Sequence, residues 1–134
     1  MDAGGASTRL RLEPRASSVS TARKFVRRTL TEAGRDDLAD AAELVTSELV
    51  TNALVHAGTH IDISVDLRPD SVRVEIADGS PHLPAAREYG TSAGTGRGLI
   101  MVEEMANSWG VARRDAGRTG KVVWFEIGTS EIGG

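Results

Sequence analysis

The chain has no cysteine, which excludes disulfides, thiolate metal sites and cysteine nucleophiles together. Aromatic residues make up only 4% of it, and Phe25 stands alone among the basic groups of the first third, where base stacking would need several. No stretch approaches the roughly 20 consecutive apolar residues of a membrane-spanning helix. The amino end lacks the charged-then-apolar order of a secretion signal. Only three histidines are present, Gly58 separates His56 from His60, and no His-Glu-x-x-His pattern occurs, so a zinc site is not expected. No internal repeat is evident. These absences lead to the expectation of a soluble cytoplasmic protein that does not enter membranes.

What is present suits one folded domain. The 134 residues have a mass of 14.2 kDa, and 40% hydrophobic residues against 26% charged ones support a real core. The net charge of −3 hides an asymmetry. Residues 1–35 hold eight basic and three acidic groups, and the rest of the chain holds eight basic and sixteen acidic ones. A basic first third can meet nucleic acid, dock on an acidic protein, or be a solvated helix face. The missing aromatic interleaving argues against nucleic acid.

Periodicity then places the elements. Leu10 and Leu12 alternate with Arg9 and Arg11, which predicts a strand over Thr8–Glu13. Val19, Ala22, Val26, Leu30 and Ala33 recur at helical spacing, with Ser17 or Ser18 as cap and Gly34 as stop. A second helix is expected from Asp36 or Asp37 to about Ala57, ended by Gly58. Ile61, Ile63, Val65 and Leu67 alternate with polar residues, Pro69-Asp70-Ser71 turns the chain, and Val72, Val74 and Ile76 return antiparallel. Asp78 to Gly98 has no periodicity, a length that in a small domain suggests a functional lid or disorder. A helix with Leu99, Val102, Met105 and Ala106 on its apolar stripe is expected next, then strands over Trp109–Arg114 and Lys121–Ile127. The expected class is α+β: a two-layer α/β sandwich with a mixed, mostly antiparallel sheet and helices on one face. Residues 1–7 and 128–134 are read as loose ends around a domain at 8–127.

Three clusters have chemical potential. Glu48, Asn52 and His56, spaced four and four, stack along one helix face. They form either a solvated polar face or a site in which the amide oxygen holds a hard cation and the carboxylate takes a proton. Asp78 ends a strand before Gly79, Ser80 and Pro81, as a turn former or as a fixed acceptor for the exocyclic amine of adenine. Gly94-Thr95-Gly96-Arg97-Gly98 runs into a helix at Leu99, as a flexible loop or as a phosphate cradle. It is neither a P-loop nor a dinucleotide fingerprint.

In this order the clusters resemble the histidine-kinase-like (GHKL) ATPases of the Bergerat fold, and more narrowly the stand-alone bacterial anti-sigma-factor serine kinases. Ser47-Glu48-Leu49-Val50-Thr51-Asn52-Ala53 with His56 is similar to that family's N-box. Asp78 falls at the Asp of the first glycine box, and Gly96-Arg97-Gly98-Leu99 with Val102 matches the second. Trp109-Gly110-Val111 and Gly120-Lys121-Val122-Val123-Trp124-Phe125-Glu126 look like the same branch. The resemblance implies ATP and Mg²⁺ as cofactors, with Asn52 on the metal and Glu48 orienting or deprotonating the nucleophile. It implies Asp78 at adenine, Gly94, Thr95, Gly96, Arg97, Gly98 and Leu99 at the nucleotide, and residues 81–95 as the lid. It also implies serine/threonine kinase activity on an anti-anti-sigma (STAS-type) protein, a sigma factor as second partner, and a homodimer. One departure stands out. The superfamily's first box reads Asp-x-Gly-x-Gly, whereas this chain has Ser80 and His82 at the two glycines. That departure motivates the alternative of an ATP-gated regulator without turnover.

Overall fold

Alternation on the strands produces a sheet with one dry and one charged face. A computed structural model describes residues 6–80, 104–114 and 119–128. The elements are β1 (Ala6–Leu12), α1 (Ser17–Glu32), α2 (Asp36–His56), β2 (Ile61–Arg68), β3 (Ser71–Asp78), β4 (Ser108–Arg113) and β5 (Lys121–Gly128). The strands form one five-stranded sheet in the order β1-β2-β3-β5-β4. All four described ladders are antiparallel, so the mixed sheet expected from the sequence is antiparallel throughout these strands. β1 begins at Ala6, two residues before the expected start, because Ala6 and Ser7 extend the ladder to Leu67 and Asp66.

The dry face carries Leu12, Ile61, Ile63, Val65, Val72, Val74, Ile76, Val123, Phe125 and Ile127, all buried. α1 supplies Ala22, Val26 and Leu30 to this layer, and α2 supplies Leu38, Ala42, Val45, Leu49 and Ala53. The result is a two-layer α/β sandwich with helices on one face. Met105 and Ala106 pack against the same core, while residues 99–103 of the expected third helix lie outside the described residues.

The helix ends differ in detail from expectation. Neither Ser17 nor Ser18 caps α1; the cap position is Ala16, and the Ser18 hydroxyl donates instead to the Glu13 carbonyl at 2.6 Å. Asp36 and Asp37 lie in the first turn of α2, where negative charge complements the helix dipole. Of the basic residues of α1, Arg27 is half-buried while Arg23, Lys24 and Arg28 are exposed, and two of the four meet acids of α2. Arg23 and Arg27 donate to Glu43 at 3.3 and 2.7 Å, and Arg27 also pairs with Asp40. These pairs hold the two helices antiparallel and take up charge that the sequence left open for a nucleic acid.

Candidate functional site

The carboxyl-terminal end of α2 and one end of the central strands meet by chain connectivity. α2 ends at His56; Ala57 to His60 then lead into Ile61, the first residue of β2. Gly58 has φ 67°, a left-handed conformation that stops the helix cheaply. Ile61 pairs with Asp78, and Asp78 pairs with Lys121 in the next ladder. Asn52 lies one turn, about 6 Å, before the end of α2. Asn52, Asp78 and Lys121 therefore gather at the same end of the sandwich. The Thr59 hydroxyl accepts from the Gly79 N–H at 2.8 Å and ties the α2–β2 connection to the end of β3.

On α2, the three members of the polar row that the sequence marked differ in burial. Asn52 is 1% exposed, Glu48 is half-buried and His56 is exposed. Asn52 sits within the apolar stripe of Leu38, Ala42, Val45, Leu49 and Ala53, and Glu48 borders it. His56 lies exposed at the helix end. Both Oδ1 and Nδ2 of Asn52 are buried and have no hydrogen-bond partner among the described residues. A buried amide with neither atom paired is costly in an apolar core. A ligand that pairs both atoms would remove that cost.

Asp78 is also buried, at 1% exposure. Its carboxylate accepts from the Lys121 ammonium at 3.0 Å on Oδ1 and 2.8 Å on Oδ2. Oδ1 also accepts from the Ser80 N–H at 2.9 Å. The turn-forming role of Asp78 and its fixed orientation thus coexist: the Ser80 bond is an Asx-type turn, and Lys121 holds the rest of the group. Sequence reading missed Lys121 as a site residue. The signal was there, because Lys121, Val123, Phe125 and Ile127 alternate onto the dry face, and a lysine on such a face needs a partner. Gly120, with φ 134°, lies so close to Asp78 that a Cβ built there would run into the Asp78 carbonyl oxygen. Gly94, Thr95, Gly96, Arg97, Gly98 and Leu99, and the lid expected at 81–95, lie outside the described residues.

The opposite face of the sheet holds a different cleft, of about 380 Å³, lined by Arg9, Arg11, Asp62, Ser64, Glu75 and Arg114 among others. Arg11 and Arg114 both pair with Asp62 and hold its carboxyl below the usual carboxylate range, Arg11 contributing most. Trp124 lies on this face with the Arg73 guanidinium 4.0 Å above its ring. None of Glu48, Asn52 or Asp78 lines this cleft.

Among the described residues, no three His, Cys, Asp or Glu side chains cluster to hold a metal ion. One amide oxygen is nevertheless a fitting protein ligand for Mg²⁺, which takes its remaining oxygens from phosphates and water. The orphaned Asn52 amide and the acceptor at Asp78 therefore fit a Mg²⁺–nucleotide. Residues 12–127 match the family model of the histidine kinase-like ATPase domain. The chain belongs to the histidine kinase-like ATPase family. The match spans the α2 polar row, Asp78, the glycine-rich segment and β5. It makes this an ATP-binding domain, with the α/β sandwich of its family. No curated protein matches the chain. No helix among the described residues is long and apolar enough to cross a membrane.

Proposed function

We propose that this histidine kinase-like ATPase domain is an anti-sigma factor with Mg-ATP-dependent serine/threonine kinase activity. Its acceptor is a STAS-type anti-anti-sigma protein, its second partner is a sigma factor, and it works in the cytoplasm as a homodimer. The observation that carries the reading is the unpaired, buried amide of Asn52 one helical turn from the half-buried carboxylate of Glu48.

Each residue has a role its chemistry suits. Asn52 would hold Mg²⁺ through Oδ1. Bound Mg²⁺ supplies charge neutralisation on the phosphates, the main requirement of phosphoryl transfer. Glu48 would accept the proton of the attacking serine or threonine hydroxyl. Leu44 and Val55, both exposed, lie four residues before and seven after Glu48 on the same side of α2. They offer an acceptor protein an apolar footing on either side of that carboxylate. Asp78 would accept from the exocyclic amine of adenine. Gly96, Arg97 and Gly98 would lie at the phosphates by their family positions.

A second reading has its own support. The Asp78 carboxylate is already held by Lys121 and by the Ser80 N–H, and Ser80 stands where the superfamily has glycine. A stiffer nucleotide loop suits a regulator that binds ATP and a partner without turning over. Incubation with γ-labelled ATP, Mg²⁺ and a panel of STAS-domain proteins separates the two. Label on a serine or threonine, lost in Glu48→Ala while ATP binding persists, is the expected result. Tight ATP binding with no transfer to any member of the panel would replace the kinase with the non-catalytic regulator.

A further inference from the structure

The Asp78–Lys121 pair does more than neutralise a charge. An ammonium has three donors, and Lys121 gives two of them to Asp78. The third has no protein partner among the described residues. A carboxylate offers about four acceptor sites, and three on Asp78 are used: two by Lys121 and one by the Ser80 N–H. The least committed oxygen is Oδ2, which among the described residues accepts only from Lys121, at 2.8 Å. A free donor and a free acceptor therefore sit side by side on two buried groups.

That pattern is the complement of adenine, whose exocyclic amine is a donor flanked by ring nitrogens that only accept. We propose that Lys121 is a second adenine-reading residue: Asp78 accepts from the amine, and the Lys121 ammonium donates to the ring nitrogen beside it. This rests on the nucleotide site proposed above. A lone carboxylate reads one atom of the base; the pair reads two of opposite polarity, and a site built to hydrogen-bond a group discriminates strongly against an analogue lacking it. Guanine puts an acceptor where adenine has its amine, so on either edge it meets the Asp78 carboxylate with acceptor facing acceptor, and on the N1 edge it also sets a donor against the Lys121 ammonium.

The test measures binding to the full wild-type chain by calorimetry, with Mg²⁺ present, and needs no turnover. ATP is compared with 1-deaza-ATP and 7-deaza-ATP, each lacking one ring acceptor next to the amine, and with GTP. The expected result is that one of the two deaza analogues binds roughly tenfold to a hundredfold more weakly than ATP, the size of one hydrogen bond to a charged group. Which one identifies the edge that Lys121 reads. In Lys121→Gln the same analogue should lose most of that disadvantage relative to ATP. Because this variant leaves a buried carboxylate unpaired and can unfold, the wild-type series decides on its own. Equal affinity for ATP and both deaza analogues, or a preference for GTP, overturns the proposal while leaving the ATP site standing. Failure of ATP itself to bind removes both.

Discussion

Replacing Asn52 with leucine should stabilise the ligand-free protein and abolish its response to Mg-ATP. Both polar atoms of the Asn52 amide are buried and unpaired, and the residue is 1% exposed. Each orphaned polar group costs about 1–3 kcal/mol. Leucine has a similar volume, so a shape mismatch of up to about 1.5 kcal/mol offsets part of the gain. A net gain of about 2 kcal/mol follows. For a domain of this size it raises the melting temperature by roughly 5–10 °C. In saturating Mg-ATP the order reverses. The wild type gains about 4.1 kcal/mol when free nucleotide is a thousandfold above its Kd, and Asn52→Leu gains almost nothing. Thermal melts followed by circular dichroism, with and without Mg-ATP, give all four numbers. A lower ligand-free melting temperature for Asn52→Leu would mean that the amide has a structural partner. An undiminished Mg-ATP shift would mean that it is not part of the site. Either result refutes the reasoning.

Gly120→Ala should destabilise by about 3 kcal/mol or more, because φ 134° suits only glycine and a Cβ would meet the Asp78 carbonyl and, at 2.8 Å, the Arg114 Cδ; urea titration checks it, and a loss under 1 kcal/mol would show that the approach relaxes easily. Thr46→Val should stabilise by about 1 kcal/mol, since the Thr46 hydroxyl is buried without a partner and valine keeps the shape; the same titration reads it, and a loss of stability would reveal a hidden hydrogen bond. Asp62 has its carboxyl lowered by Arg11 and Arg114, so its contribution is present above its unfolded value near pH 4 and is lost as pH falls through the lower folded value. Asp62→Asn should therefore flatten the acid limb of the stability curve below pH 4 while leaving its slope near neutrality unchanged.

The strands and helices were legible because each keeps its period. Ile61, Ile63 and Val65 point to one face by arithmetic alone, and Gly58 ends α2 where the apolar repeat stops. The polar row of α2 was legible as a face, but not which of its members is buried. Spacing cannot tell that Asn52 is sealed while His56, four residues on, is in solvent, because that depends on where the helix leaves the sheet. The basic face of α1 was ambiguous for a related reason. Its partners, Glu43 and Asp40, lie on another helix, and only the packing of α1 on α2 brings them to Arg23 and Arg27. Lys121 is the instructive omission. A lysine opening a run of alternating apolar residues belongs to the dry face, and its partner can be sought at the strand position that faces it across the ladder.

The pairing of Lys121 with Asp78 has a second consequence, for register. Along β3 and β5 the inward rungs are Val72 with Ile127, Val74 with Phe125, and Ile76 with Val123, all apolar and nearly interchangeable. A slip of two residues would keep two of these three rungs apolar, Val74 then facing Ile127 and Ile76 facing Phe125. It would also set Asp78 opposite Val123 and leave a buried carboxylate and a buried ammonium without partners, at a cost of several kcal/mol. The pair thus pins the ladder that the apolar rungs leave loose. A pair placed anywhere along the two strands would serve that purpose. Its position at the last rung, at the end of the sandwich where α2 presents an amide with no partner, is not explained by register. Asn52, Asp78 and Lys121, buried at one end of the core, are a burden on a small domain unless a ligand completes them, and a purine nucleotide with its metal brings a donor, ring acceptors and a cation to one place.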